Sequence, residues 1–361
     1  MSDEIYLNVA KVLDTLPNGF PATESGVEIK LLKKVFTPEQ AALFCDMRLT
    51  FETAEDVARR TGRPLEGLEE LLISMGEAGQ LFALQFGETR YFKMMPWIFG
   101  IYEFQLGRID REFAELMEEY APTFARQFFE HTPQLMQVLP VEEEIFLQHQ
   151  ALPYEKVSTL IEQGQSFLVN ECICKKEQGL LGNPCSRPLE VCLAIAPVPG
   201  IFDDSPLGRV ITRDEAYELL RQCEEAGLVH LTGNIQNGQI FICNCCGCCC
   251  GVLRSIMELG IPASSVVNSH YCAQIDADRC SGCGICADER CQVKAIEEVN
   301  GEYRVIPERC IGCGLCISTC PTEAIRFVRK EPDKLTPPPV TEEEWFEERG
   351  RRRGVDFTGY K

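Results

Sequence analysis

Eight cysteines near one end of this chain are set out twice in the same pattern. Arg279-Cys280-Ser281-Gly282-Cys283-Gly284-Ile285-Cys286 returns thirty positions later as Arg309-Cys310-Ile311-Gly312-Cys313-Gly314-Leu315-Cys316. Each copy adds a fourth cysteine, Cys291 and Cys320, then an Ala-Ile pair. Three thiolates two residues apart can curl around one metal core only where the backbone turns tightly, and Gly282, Gly284, Gly312 and Gly314 permit such turns. The same turns leave N–H groups free to point at sulfur, which is one lever on reduction potential. Zinc sites seldom use three evenly spaced cysteines plus a distant fourth, so the chemistry implied is two 4Fe-4S cubanes.

The second copy, Cys310 to Cys320 followed by Pro321, reproduces in full the spacing C-x2-C-x2-C-x3-C-P. On these residues the segment 273–329 resembles the bacterial dicluster ferredoxin family. The resemblance implies that the fourth cysteine of each run ligates the other cluster. Cys280, Cys283 and Cys286 would then share a cluster with Cys320, and Cys310, Cys313 and Cys316 with Cys291. The first copy departs from the family pattern: Ala287, Asp288, Glu289 and Arg290 separate Cys286 from Cys291, and Gln292 stands where proline is usual. Between the copies, Ala295–Val299, Asn300-Gly301 and Glu302–Ile306 read as a hairpin closed by a type I′ turn, expected to lie over the clusters.

Ten of the thirteen cysteines upstream of the repeat fall into two sets. Cys172, Cys174, Cys185 and Cys192 form a C-x-C-x10-C-x6-C set in which Asn183-Pro184 and Arg187-Pro188 force turns. Cys243, Cys245, Cys246, Cys248, Cys249 and Cys250 are too many and too adjacent to be apolar filler. Alternation along a strand would send Cys243 and Cys245 to one face. One metal centre per group and one mixed centre with leftover thiols both fit. The expectation is one or two additional iron-sulfur clusters, with zinc or reactive thiols as alternatives. Lys175 and Lys176 would favour thiolate by charge. Cys223 falls on a helical apolar stripe and reads as a core thiol, and the isolated His270 and Cys272 as non-ligands. The arrangement of C-I-C, P-L-E-V-C-L and C-N-C-C-G-C-C-C-G also resembles multi-domain ferredoxin-type proteins of anaerobic bacteria, a group that carries over no individual reaction.

The elements that must position these thiols give an α+β expectation with four parts. Residues 1–130 read as a helical domain with a winged-helix-like unit: helices from Thr37, Thr53 and Pro64, a hairpin over Leu81–Phe86 and Arg90–Met94, and an amphipathic helix over 107–120. Residues 131–271 read as a cysteine-rich middle domain, of which 131–158 is a link. A capping box at Thr212–Glu215 opens a helix to Gly227, followed by a second hairpin that delivers Cys243. Residues 272–330 are the dicluster ferredoxin domain, and 331–361 a proline-rich linker with a charged, solvated tail in which Trp345 and Phe346 offer anchors.

A net charge of −20 repels DNA and membranes, and Glu66, Glu69, Glu70 and Glu77 on the would-be recognition helix oppose phosphate further. The expected partners are redox proteins, with no membrane, DNA disfavoured and no small-molecule substrate identified. Twenty-one cysteines without a signal peptide point to a reducing cytoplasm. No P-loop, nucleophile elbow or G-x-G-x-x-G fingerprint is present, so no catalytic residue is assigned. The function expected is an electron-transfer protein or subunit, a non-catalytic component of an oxidoreductase system. Two other readings stand beside it: a redox- or iron-sensing winged-helix regulator, and a reductase subunit with a substrate-binding cluster in the middle domain.

Overall fold

Local signals open and close most of the helices. Thr37 accepts a hydrogen bond from the Gln40 N–H and the Gln40 side chain returns one from the Thr37 N–H, which starts helix Pro38–Phe44. Thr53 and Asp56 do the same for Ala54–Thr61, which stops at the left-handed Gly62. The computed structural model describes residues 3–141, 152, 155–203 and 205–361. It is a mixed helix-and-sheet chain in two compact units, Met1–Phe128 with Phe346–Lys361, and Phe129–Trp345.

In the first unit, helices Pro38–Phe44, Ala54–Thr61 and Leu68–Glu77 precede an antiparallel hairpin of β1 (Leu81–Phe86) and β2 (Thr89–Met94). Phe20, Trp97, Phe113 and Tyr120 form its aromatic core. The helix expected over 107–120 runs from Arg111 to Phe129. The charged helix Glu342–Arg353 is not a solvated tail: Arg349 is fully buried, donates to the carbonyls of Pro17 and Phe128, and lies over the Phe128 ring. A charged sequence conceals this because burial of one guanidinium depends on distant carbonyls.

The second unit is built on a seven-stranded sheet of β3 (Met136–Leu139), β4 (Ser166–Glu171), β5 (Glu190–Ala196), β6 (Arg209–Ile211), β7 (Val229–Gly233), β8 (Phe241–Cys245) and β9 (Val267–Asn268), in the order β6-β4-β5-β8-β7-β3-β9. Every pairing is antiparallel except β3 with β9. The stretch expected as a link thus contains the fully buried β3. Leu160, Ile161, Phe167, Leu193, Ile211, Leu220 and Ile242 make the core beneath helix Arg213–Glu225, which opens on the expected Thr212/Glu215 capping box. Residues of the proline-rich segment are also held: Pro339 and Val340 carbonyls accept from Gln236 and Asn237 N–H.

The ferredoxin-like part joins β10 (Tyr271–Ile275) to β13 (Ile325–Arg329) antiparallel, and β11 (Ile296–Val299) to β12 (Glu302–Val305) as a hairpin. Asn300 at φ 56° and Gly301 at φ 85° form the I′ turn that the sequence calls for.

Candidate metal centres

The two copies of the repeat wall two cavities. One is lined by Cys280, Cys283, Cys286 and Cys320, with Ile275, Tyr303 and Ile325 beside them. The other is lined by Cys291, Cys310, Cys313 and Cys316, with Ala273, Val293 and Ile296 around them. Each cavity takes three cysteines from one copy and the last cysteine from the other. The β11–β12 hairpin contributes Tyr303 to the first cavity and Ile296 to the second.

The extra residue of the first copy is absorbed as a π-helical turn over Cys286–Arg290, closed by the Cys291 N–H to the Cys286 carbonyl at 3.0 Å. That wider turn brings Cys291 to the wall of the second cavity. It also buries Arg290, whose Nε donates to Leu315 O at 3.2 Å and whose Nη atoms donate to Glu225 O and Glu224 O at 2.9 Å, capping the end of helix Arg213–Glu225. Gln292, in the usual proline position, accepts at Oε1 from the Gly247 N–H at 3.1 Å. A Cβ on Gly247 would lie 2.1 Å from the Gln292 carbonyl, so only glycine fits that approach.

Backbone donors point at the sulfurs. Lys294 and Glu323, three residues after Cys291 and Cys320, both sit at φ 50°, and this left-handed step aims the next N–H at sulfur: Ala295 N to Cys291 Sγ at 3.0 Å, Ala324 N to Cys320 Sγ at 3.3 Å. Ala273 N donates to Cys310 Sγ at 3.4 Å. Burial pushes the Cys320 thiol up, yet the N–H groups of Ala324 and Thr322 hold it below its usual value. The hydrogen bond from Cys272 brings Cys310 down to about 6, while burial lifts Cys313 to about 12. Cys272 therefore touches Cys310 as a donor rather than lining either cavity. Sequence reasoning passed over the two left-handed residues, although both precede the repeated Ala-Ile pair. Carboxylate Glu155 takes the His270 Nδ1 and, at 3.2 Å, the Tyr271 hydroxyl, which fixes the start of β10.

Upstream, the ten cysteines fall into two groups. Antiparallel pairing of β5 with β8 sets Leu193 opposite Ile242, and the neighbouring Cys192 and Cys243 share a side-chain hydrogen bond. Cys243 and Cys245, alternating along β8, share a face. The irregularity after Asn170 ends β4 just before Cys172, which precedes helix Ile173–Leu180 carrying Cys174. Side-chain hydrogen bonds then close a circuit: Cys172 with Cys174 and Cys192, Cys174 with Cys250, Cys192 with Cys243, Cys243 with Cys245, Cys245 with Cys250. Around it Cys172, Cys243 and Cys250 are held down by the S–H groups of their neighbours, Cys243 to about 6, and Cys174, Cys192 and Cys245 are held up by donating them. Six thiols in mutual contact are the donor set of a soft-metal cluster, whose cationic core would draw them to thiolate.

The remaining cysteines, Cys185, Cys246, Cys248 and Cys249, have all their sulfurs within 4.8 Å of one another. The run Cys243–Cys250 is therefore shared between the groups, with Cys243, Cys245 and Cys250 in the circuit and Cys246, Cys248 and Cys249 in the tetrad. Cys223 is a core thiol, 1% exposed and raised by burial to about 12. Lys175 is buried with its Nζ on Pro188 O at 2.6 Å, and its charge lowers both Cys172 and Cys246, whereas Lys176 pairs with Glu171 at the surface. None of the 21 cysteines is paired in a disulfide.

Residues 273–327 match the family model of the 4Fe-4S dicluster domain. No curated protein and no solved structure matches the chain. The chain thus carries a ferredoxin-type iron-sulfur domain in its last third, and among the described residues no helix is long and apolar enough to cross a membrane.

Proposed function

We propose that the protein is an electron carrier or electron-transfer subunit of a reducing, cytoplasmic compartment, holding two 4Fe-4S clusters in the ferredoxin domain and a further cluster within the six-cysteine circuit. The observation that carries the reading is the pair of cavities, each walled by three cysteines of one repeat and the fourth of the other. Cys280, Cys283, Cys286 and Cys320 would hold one cubane, and Cys310, Cys313, Cys316 and Cys291 its partner. Such clusters supply reversible one-electron change within a range of roughly −700 to +450 mV.

The chain's own part is to exclude water and to set the potential. Ile275, Ile296 and Ile325 wall the cavities, and the N–H groups of Ala273, Ala295 and Ala324 donate to the sulfurs, which stabilises the more negative, reduced state. Partners in this reading are redox proteins, met through an acidic surface. The winged-helix-like unit would serve docking or support rather than DNA binding, since Glu66, Glu69, Glu70 and Glu77 are all exposed around Leu68–Glu77. Anaerobic purification followed by iron and acid-labile sulfide counts tests the proposal. More than about eight of each per chain is expected. Colourless protein free of sulfide would defeat it.

A further inference from the structure

The tetrad has a geometry unlike that of the cavities. Cys185 Sγ lies 3.8 Å from Cys246 Sγ and 3.6 Å from Cys248 Sγ, while Cys248 Sγ is 3.4 Å from Cys246 Sγ and 3.6 Å from Cys249 Sγ. Four thiolates on a tetrahedron around one ion with metal–sulfur bonds of about 2.3 Å must be about 3.8 Å apart. A cubane places four irons and four sulfides between its thiolates and so holds them much farther apart. Sulfurs packed this closely leave room for one ion.

We propose that Cys185, Cys246, Cys248 and Cys249 bind a single tetrahedral metal ion, zinc or iron, as a mononuclear tetrathiolate separate from every iron-sulfur cluster of the chain. Two turns build it. Asn183-Pro184 presents Cys185 after helix Ile173–Leu180, and the loop leaving β8 turns Cys246, Cys248 and Cys249 to meet it. Cys246 and Cys249 are buried, and Cys248 is the exposed corner.

A divalent ion with four thiolates carries two negative charges, and the surroundings answer them with two cations. Arg187 is anchored by Nε on Ala226 O at 3.1 Å and sets Nη1 3.8 Å from Cys248 Sγ. Lys175, only 3% exposed, acts on Cys246 from within. A lysine this deep needs a compensating anion, which the tetrathiolate supplies. The Gly247 N–H, between two of the ligands, is tied to Gln292, so the site is also fastened to the ferredoxin domain.

The test uses the full chain purified anaerobically, with iron, zinc and acid-labile sulfide counted in parallel in the wild type and in the double variant C185S/C248S. The variant is expected to lose about one metal atom per chain with sulfide and cluster paramagnetic signals unchanged. Loss of zinc identifies a structural clasp, and loss of iron a one-electron centre; both sustain the proposal. Loss of iron together with equal sulfide would overturn it by making the tetrad a cluster ligand set, and unchanged metal would overturn it by leaving the thiols bare. Should the variant not fold, the unaltered chain decides. Zinc-edge X-ray absorption should show four sulfur neighbours and no neighbouring metal, or Mössbauer spectra one isolated high-spin iron, and finding neither overturns the assignment. Sulfide reports the clusters and sulfide-free metal reports the tetrad, so the two proposals fail separately.

Discussion

The two copies of the cysteine repeat face different surroundings, and their sequences differ accordingly. The second copy keeps the family spacing, and its Pro321 and Glu323 turn lies exposed. The first copy breaks that spacing at Arg290 and Gln292, and both of those side chains are buried against the neighbouring region: Arg290 on the helix-end carbonyls of Glu224 and Glu225, Gln292 on the Gly247 N–H of the loop after β8. An inserted residue and a lost proline thus read as a docking device. The π-turn keeps Cys291 at its cavity while the added side chain reaches the neighbouring helix end. A departure from a motif in one copy of a repeat marks where that copy meets something the other does not.

Substitutions at matched positions sharpen the contrast. Gly312 sits at φ 64° with its missing Cβ 2.3 Å from the Tyr271 carbonyl, whereas Gly282, at φ 71°, faces open space. Gly312→Ala should therefore combine left-handed strain with a backbone clash and cost about 3 to 4 kcal/mol. Gly282→Ala should cost about 1 kcal/mol from strain alone. Denaturant midpoints of cluster-bearing protein measure both, and equal losses would break the comparison. Arg290→Ala leaves several carbonyls without their donor and should destabilise by about 3 kcal/mol, far more than removal of the exposed Arg279 guanidinium. Gln292→Ala removes one acceptor and should cost about 1 kcal/mol in the same assay.

The smallest effect is a pH dependence at the entry to the ferredoxin domain. Burial pushes the Glu155 carboxyl up, but the hydrogen bonds from His270 and the Leu152 N–H outweigh it and hold the group below its ordinary 4.5. Its folded value lies under its unfolded one, so its contribution is complete above about pH 4.5 and is lost as pH falls through the depressed value. Glu155→Gln should flatten the acid limb of the stability profile, and an unchanged limb would remove Glu155 from the account.

Features set by neighbours in sequence were legible without the structure. The Asn300-Gly301 turn, the N-cap at Thr37, the capping box at Thr212 and the duplicated cysteine spacing follow from local chemistry, whereas the crossing of the fourth cysteines was implied by the family resemblance and not by spacing. What depended on distant partners was not. The division of Cys243–Cys250 between circuit and tetrad is decided by where β5 and helix Ile173–Leu180 bring Cys192, Cys172 and Cys174. The strand Met136–Leu139 reads as a link because four residues carry too little period to announce a strand, and its place between β7 and β9 is fixed only by the sheet. Arg349 lies in a run of charges whose burial needs carbonyls more than 200 positions away, at Phe128 and Pro17.

Iron counts in paired cysteine variants test the crossed arrangement most directly. If Cys280 and Cys320 serve one cluster and Cys291 another, C280S/C320S should lose about four irons and C280S/C291S about eight. The reverse outcome, one cluster lost with Cys280 and Cys291 and two with Cys280 and Cys320, would show that each repeat holds its own cluster and would contradict the account.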